Sequence, residues 1–244
     1  MKTVHSDSEK EKPMGAAEKY APEVVETSDG SHTLFIPSLG EHYHSFHSSV
    51  REAFHVYIEA GLYEVFERCS GPVEVFELGF GTGLNALVTA LGAKDRGRHV
   101  RLNSIEYYPL SAEAVSVLNY CDHMDHPDAK PFFDAVHAAA WGEDVSIHTD
   151  FVLHKFQADF LQWQPTPASV DLIYFDAFGF RAQAELWSVE VFRKCYAMLR
   201  PGGVLVTYAS KGLVRRNMLE AGFGVEKLPG PPGKREMVRA TKQQ

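Results

Sequence analysis

The stretch ELGFGTGLNAL, residues 77–87, most constrains what this chain can fold into, because a strand pattern there runs directly into a helix pattern. Gly79, Gly81 and Gly83 form the turn between the two patterns. Glycines at this place let the backbone turn sharply and approach a ligand closely, with the N-terminal amides of the helix facing it. Strand and helix patterns alternate along the chain from residue 71 onward. This alternation predicts a parallel sheet with crossover helices.

Patterning divides the chain into three segments. Residues 1–28 have no apolar run and are expected to be a flexible leader. Residues 29–70 predict an N-terminal appendage packed on the core, with a strand at HTLFIP and a longer amphipathic helix at VREAFHVYIEAGLYEVFERC. Residues 71–244 are expected to form the core. Within it, PLSAEAVSVLNY predicts a helix, and DVSIHTDFVLHKFQAD predicts a hairpin that ends in a sheet strand.

The charge is unevenly distributed. A net charge of -8 argues against a protein that coats nucleic acid indiscriminately. Eight basic and three acidic residues lie from Lys211 onward, so this end carries +5 and the rest of the chain carries -13. Charge alone leaves two interpretations open: a localised surface that faces phosphates, or a solvated helix face with a charged tail.

Cysteine spacing and hydropathy indicate the compartment. The three cysteines show no CxxC spacing, which argues against a disulfide framework or a thiolate metal site. No window approaches eighteen uncharged apolar residues, and the N-terminus lacks the apolar region of a signal peptide. We therefore expect a cytoplasmic protein.

Acidic residues accompany the glycine turn. Glu106 ends the next strand pattern, where folds of this kind place an acid that accepts hydrogen bonds from two ribose hydroxyls. The GxGxG spacing, with Glu77 on the strand before it, resembles S-adenosylmethionine-dependent methyltransferases more than nicotinamide enzymes. The resemblance implies a Rossmann-like α/β fold with seven strands, the last antiparallel. It also implies that Asp159 in FQADFLQW contacts the adenine amine, although an N-cap for the short helix FLQW is an alternative.

Longer stretches resemble one family. They are DGSHTLFIPSLGEHYHSFHSSVREAFHVYIEAGL, ELGFGTGLNAL, IEYYPL, YFDAF, AELW, LRPGGVLVTYASKGLVRRNMLEAGF and LPGPPGKREMVRA. Over about residues 29–240 they resemble the MnmD family, stand-alone relatives of the methyltransferase half of the bifunctional protein MnmC. The resemblance implies methyl transfer from S-adenosylmethionine to the primary amine of 5-aminomethyl-2-thiouridine at the tRNA wobble position. The products would be the 5-methylaminomethyl nucleoside and S-adenosylhomocysteine.

The resemblance also implies which residues form the site. The expected cofactor-binding residues are Glu77, Gly79, Phe80, Gly81, Thr82, Gly83, Asn85, Glu106, Asp159 and Asp176. Asp176 follows the apolar strand pattern VDLIYF, and open parallel sheets bind ligands at the carboxyl ends of their strands. We expect Asp176 to be catalytic, orienting the substrate amine and accepting its proton. Phe178 is expected to wall the pocket or stack on the uracil ring, with core packing as the alternative for it and for Phe80, Phe180 and Trp187.

Basic residues near the C-terminus are the expected tRNA contacts. They are Lys211, Arg215, Arg216, Lys234 and Arg235, and each should contribute salt-sensitive affinity rather than base choice. The flavin-dependent oxidase half of the bifunctional relative needs a second dinucleotide domain, so no FAD-dependent step is expected here. A separate FAD-dependent or upstream tRNA-modifying enzyme is the corresponding expected partner.

Two further features concern the segments around the site. His42, His44 and His47 lack a partner carboxylate pattern, so no metal is expected, and Tyr43 or His44 is expected near the mouth of the site. Family members commonly carry prolines where this chain has Phe180 and Ala184. The loop after Asp176 is therefore expected to be less rigid, with an extra aromatic residue near the pocket.

Three other functions compete with methyl transfer. An aminopropyltransferase resembling spermidine synthase shares the sheet order, but that family carries further acids that GFGTGLN and DAFGFRA lack. A nicotinamide oxidoreductase is disfavoured by the GxGxG spacing. A non-catalytic tRNA-binding module with the same fold would bind tRNA without turnover.

Overall fold

A computed structural model of the chain describes residues 21–44 and 48–243. Three strands form a small antiparallel N-terminal sheet: β1 (Glu23–Glu26), β2 (His32–Ile36) and β3 (Glu41–His42). β2 is the strand predicted at HTLFIP. β1 lies within the predicted flexible leader, so that prediction was wrong for these four residues. Backbone pairing with β2 holds them, and a short, mostly exposed strand has no apolar pattern that would reveal it. Residues 1–20 lie outside the described residues.

The main sheet has eight strands among the described residues. They are β4 (Val73–Leu78), β5 (Val100–Glu106), β6 (Asp144–His148), β7 (Phe151–Gln157), β8 (Val170–Phe175), β9 (Leu199–Thr207), β10 (Gly224–Pro229) and β11 (Glu236–Thr241). Their order across the sheet is β10-β11-β9-β8-β4-β5-β7-β6. The central strands from β7 to β9 are parallel, and β11 runs antiparallel to β9. The Rossmann-like fold with an antiparallel last strand is therefore confirmed, and β6 of the predicted hairpin adds an eighth strand beside β7.

Helices cover both faces of this sheet. They are α1 (residues 49–68), α2 (Leu84–Arg96), α3 (Ala112–Ser116), α4 (Ala129–Ala138), α5 (Val189–Met198) and α6 (Gly212–Glu220), with 3-10 turns at Tyr120–His123 and Ala184–Trp187. The helix predicted over residues 109–120 shortens to α3, since no residue of that helix is buried to stabilise a longer one. No helix in the described part of the chain is long and apolar enough to cross a membrane.

Helix α1 is continuous but changes its winding. Its ends are α-helical, whereas Phe54–Tyr63 is a π-helix. A Cβ atom on Gly61 would lie 3.0 Å from Cγ2 of Val206 on β9, so the missing side chain lets the helix approach the sheet closely. Val56 and Leu62 are fully buried in the same apolar cluster as Val206. The helix of the predicted appendage therefore packs into the core, while the division of the chain at residue 71 stays a prediction.

Candidate active site

A cavity of about 490 Å³ opens at the carboxyl ends of β4, β5 and β8, where sheets of this order bind ligands. The N-terminal sheet, α1 and the loop before β11 complete its wall. The predicted site residues that line it are Gly79, Phe80, Gly81, Thr82, Asn85, Glu106, Asp159, Asp176, Phe178 and Lys234. The predicted residues that do not line it are Glu77, Gly83, Lys211, Arg215, Arg216 and Arg235. The volume lies within the range of about 300–1,000 Å³ that is usual for small-molecule sites.

Asp176 follows β8 directly, and both of its carboxylate oxygens accept a hydrogen bond. The Tyr57 hydroxyl donates to Oδ1 over 2.5 Å, and Nδ2 of Asn85 donates to Oδ2 over 2.8 Å. Burial raises the pKa of Asp176 to about 6, although these two donors act in the opposite direction. The carboxylate is therefore mostly ionised at pH 7, but its pKa lies close to that pH.

Glu77 lies on β4 beneath the glycine turn and is fully buried. Its Oε2 accepts a hydrogen bond of 2.5 Å from the Ser104 hydroxyl, and its Oε1 has no partner among the described residues. Burial raises the pKa of Glu77 to about 8, so the group is neutral at pH 7. The structure does not support the predicted direct cofactor contact by Glu77, because β4 is buried on both faces and its side chain faces the protein interior.

The glycine turn needs its glycines for steric reasons. Gly79 has φ +94°, and a Cβ there would lie 2.9 Å from the Asp176 carbonyl oxygen. Gly81 has φ +50°, and a Cβ there would lie 3.0 Å from the Tyr43 ring. Gly83, with φ +72°, is the N-cap of α2 and faces His137 instead of the cavity. The turn therefore brings the end of β4 beside Asp176 and leaves a narrow backbone surface under Tyr43.

The histidine segment supports this turn. His44 is buried, and its Nε2 lies 2.7 Å from Oγ1 of Thr82. Burial lowers the pKa of His44 to about 4, so the ring is neutral at pH 7. His42 and Tyr43 line the cavity, in agreement with the expected position of this segment near the site. His47 lies outside the described residues, and residues 21–44 and 48–243 contain no group of three acidic, histidine or cysteine side chains that could hold a metal.

The two remaining acids occupy the opposite wall. Glu106 accepts backbone hydrogen bonds from Gly81 at 3.1 Å and from Tyr108 at 2.9 Å. Burial raises its pKa above the ordinary value, and the backbone donors partly offset that increase. Asp159 lines the cavity while its Oδ1 accepts from the Leu161 backbone N–H at 2.8 Å. In this one conformation, Asp159 can therefore both face the cavity and cap the turn that follows it.

The loop after Asp176 is held by side-chain hydrogen bonds. Gln183 accepts from the Phe178 backbone N–H at 3.1 Å, and the Trp187 indole donates to the Phe178 carbonyl at 2.8 Å. The Phe178 ring lines the cavity and meets the Tyr43 ring edge-on at 4.9 Å. Trp187 is fully buried, and Phe180 packs against the same apolar cluster. Phe180 is not among the residues that line the cavity, and the expected lower rigidity of the loop after Asp176 stays a prediction.

Phe80 lines the cavity and also packs behind the glycine turn. Its ring is buried, packs edge-on against His137 and Trp141, and lies 5.0 Å from the Lys155 ammonium. Lys155 is itself buried and donates to the carbonyl of Val136 at 3.0 Å near the end of α4. Phe80 thus anchors the glycine turn from behind.

Lys234 is a predicted tRNA contact that lines the cavity. Its ammonium pairs with the buried carboxylate of Glu52 on α1 and lies 4.1 Å from the centre of the Tyr208 ring. A Cβ on Gly230 would overlap the Lys234 carbonyl oxygen, so the loop before β11 is tightly folded and turns this lysine into the cavity. Lys234 therefore lies in the cavity with a buried acid of another element as its partner, and its expected contact with tRNA stays a prediction.

The other predicted basic residues lie outside the cavity. Lys211, Arg216 and Arg235 are exposed, and Arg215 is half-buried. Arg215 and Arg235 both act electrostatically on Glu236, which places the start of α6 beside the loop before β11. Arg215 and Arg235 therefore lie on the same side of the protein.

Sequence reasoning missed three residues of the site, namely Glu52, Tyr57 and Tyr208. Tyr208 follows β9, lines the cavity and donates to the Ala177 carbonyl at 2.9 Å. Its place after a strand of the parallel sheet was a signal that could have identified it. Glu52 and Tyr57 lie on an amphipathic helix, where no local pattern distinguishes a site residue from a packing residue.

Comparisons with known proteins agree with this geometry. A family described as S-adenosyl-L-methionine-dependent methyltransferase matches residues 139–243. The tRNA 5-methylaminomethyl-2-thiouridine biosynthesis bifunctional protein MnmC of Burkholderia multivorans is 34% identical over 218 residues, which is 84% of this chain and 33% of that protein. The chain spans about a third of the length of the curated relatives that it matches.

Two solved structures share the fold. The crystal structure of MnmC2 from Aquifex aeolicus has a TM-score of 0.76 at 22% identity and covers 93% of this chain and 72% of that chain. Spermidine synthase from Thermotoga maritima has a TM-score of 0.53 at 15% identity and covers 90% of this chain and 71% of that chain.

The sheet order, the glycine turn and the acids around one cavity define the class: the protein is an S-adenosylmethionine-dependent methyltransferase. Within this class, the chain is similar to the MnmC proteins, of which it covers about a third.

Proposed function

We propose that this protein methylates the primary amine of 5-aminomethyl-2-thiouridine at the tRNA wobble position and produces 5-methylaminomethyl-2-thiouridine. The observation that carries the proposal is the Asp176 carboxylate, fixed at the end of β8 in the cavity that also contains Glu106 and Asp159. The MnmC relatives are named for biosynthesis of this nucleoside, which supports the same acceptor.

The described residues fit S-adenosylmethionine. Gly81 leaves room for close approach to the backbone, and Oδ1 of the buried Asn85 has no partner among the described residues. We assign Glu106 to the ribose hydroxyls and Asp159 to the adenine amine, because carboxylate oxygens are acceptors for both kinds of donor. When bound, S-adenosylmethionine supplies an electrophilic methyl group on a sulfonium centre.

The chemistry assigns Asp176 its role. An alkylamine is mostly protonated at neutral pH, whereas the attacking nitrogen must present a free lone pair. Asp176 is mostly ionised at pH 7, since burial raises its pKa only to about 6, and it can accept a hydrogen bond from the amine N–H. Its carboxylate oxygen takes up a proton from the protonated amine before the nitrogen attacks, which frees the lone pair, and it passes that proton to solvent. Orientation of the amine is then as important as basicity.

The tRNA-binding surface is proposed to contain Lys211, Arg215, Arg216 and Arg235. Of these, Arg215 and Arg235 lie near the loop that brings Lys234 into the cavity. Phe178, on the cavity wall, is assigned to contact the uracil ring. The amine itself must be supplied by an upstream tRNA-modifying enzyme, which in the bifunctional proteins would be the flavin-dependent half.

The test is incubation with labelled S-adenosylmethionine and tRNA from cells that lack this methylation, followed by nucleoside analysis. We expect label on the 5-aminomethyl-2-thiouridine amine, and loss of turnover in Asp176→Asn and Asp176→Ala while cofactor binding persists. Asp171→Asn is a matched control, because Asp171 lies at the opposite end of β8 and pairs with Arg200 at 2.6 Å. Unlabelled amine with wild-type protein would reject the proposal, and aminopropyl transfer from decarboxylated S-adenosylmethionine would favour the alternative enzyme.

A further inference from the structure

A tyrosine from the N-terminal helix reaches the proposed catalytic carboxylate. Tyr57 lies on the π-helical part of α1, is 1% exposed, and donates its hydroxyl hydrogen to Oδ1 of Asp176 over 2.5 Å. Burial and the nearby Asp176 charge raise the pKa of the phenol well above its ordinary value. The hydroxyl therefore stays protonated and serves as a donor.

The fold places this hydroxyl through several independent contacts. Gly61, one turn further along α1, lets the helix approach Val206 and Tyr174 of the sheet. The Tyr57 ring packs against the Tyr174 ring with centres 5.2 Å apart. π-helical turns are rare and recur at functional sites, because they change which side chains of a helix point in one direction. The arrangement thus fixes the ring as well as its hydroxyl.

We propose that Tyr57 is a positioning residue of the active site, which together with Asn85 holds the Asp176 carboxylate in the orientation that accepts the substrate amine. The inference rests on the proposed function. The two donors bind different oxygens, so rotation of the carboxyl group would break both hydrogen bonds. Each oxygen keeps a second lone pair for the substrate N–H.

Other charged groups around Asp176 do not replace this donor. Glu52 on α1 raises the pKa of Asp176, and Lys234 from the loop before β11 lowers it, but these two groups pair with each other. Glu77 on β4 is neutral at pH 7 because burial raises its pKa to about 8. Tyr208, after β9, donates to the Ala177 carbonyl instead. Tyr57 and Asn85 are the direct side-chain donors that the described structure gives Asp176.

Loss of the Tyr57 hydroxyl should therefore have a specific pH signature. The hydrogen bond stabilises the ionised carboxylate, so Tyr57→Phe should raise the pKa of Asp176. A hydrogen bond to a charged group corresponds to a shift of about one pH unit or somewhat more. The acid limb of the kcat profile should move to higher pH by the same amount. Because the pKa of Asp176 then lies near or just above 7, kcat at pH 7 should fall about two- to fourfold, while the Kd for S-adenosylmethionine stays unchanged.

The experiment compares Tyr57→Phe with Tyr63→Phe, which removes a hydroxyl from the same helix without touching Asp176. Carbon-13 NMR of aspartate-labelled protein reports the titration of Asp176, identified by the signal missing in Asp176→Asn. We expect Tyr57→Phe alone to shift this titration and the kcat profile. An unshifted Asp176 titration in Tyr57→Phe would overturn the inference, whether or not the enzyme methylates the proposed amine. If the wild-type protein does not methylate the amine but Tyr57→Phe still shifts the titration of Asp176, only the proposed function is rejected.

Discussion

Replacement of the buried Glu77 by glutamine should change how protein stability depends on pH. Burial raises the pKa of Glu77 from 4.5 to about 8, so the folded protein holds a proton that the unfolded chain has already lost at pH 7. The contribution of Glu77 to the free energy of unfolding is fully present below pH 4.5, and it decreases as the pH rises toward 8. At pH 7 the free energy of unfolding has decreased by about 3 kcal/mol, since each pH unit above 4.5 corresponds to about 1.36 kcal/mol.

Glutamine is neutral at every pH and can still accept the Ser104 hydrogen bond. The free energy of unfolding of Glu77→Gln, relative to wild type, should therefore rise by about 1.5 kcal/mol between pH 6.5 and 8.0. Urea unfolding without cofactor, followed by tryptophan fluorescence, measures this difference. Glu67→Gln on the exposed side of α1 controls for removal of one negative charge. A Glu77→Gln difference that stays constant over this range would show that Glu77 is ionised in the folded protein and refute the reasoning.

Two further predictions concern binding. Gly81→Ala should weaken S-adenosylmethionine binding about tenfold or more, because its Cβ would press on the Tyr43 ring at 3.0 Å. Gly97→Ala is the control: Gly97 has a similar φ of +57° but open space around it, so this variant should bind S-adenosylmethionine as the wild type does. Calorimetric titration measures both, and wild-type affinity in Gly81→Ala would contradict the assigned cradle. Arg216→Ala should reduce the slope of the logarithm of the tRNA binding constant against the logarithm of salt concentration by about 1. Lys130 is an exposed lysine on α4, and Lys130→Ala should leave this slope unchanged. Equal slopes in both variants would place the tRNA elsewhere.

The parallel sheet and the position of Asp176 could be predicted from sequence because both depend on local patterns. An apolar strand that ends in one acid, in an alternation of strands and helices, places that acid at the ligand-binding edge. The same holds for Gly79 and Gly81, where a strand runs into a helix. These predictions needed only periodicity and chain order.

Other parts of the site depend on contacts between distant segments. Lys234 lies in a loop rich in glycine and proline and was expected on the surface, but its partner Glu52 is 182 residues away. Tyr57 belongs to a helix whose π winding and close approach through Gly61 arise from packing against the sheet. Glu77 could equally have faced a ligand or the interior, and only the burial of both faces of β4 distinguishes the two. Sequence patterns do not specify such pairings.

The loop before β11 links the outside of the protein with its interior. Lys234 lies in the cavity against Glu52 and Tyr208, while the adjacent Arg235 is exposed beside Arg215. Consecutive residues are only about 3.8 Å apart, so a ligand that displaces the Arg235 backbone also displaces Lys234. Any cooperativity that results between tRNA and S-adenosylmethionine must be reciprocal: each increases or decreases the affinity for the other by the same factor. The order in which the two substrates bind is then free to vary without changing the final stability of the ternary complex.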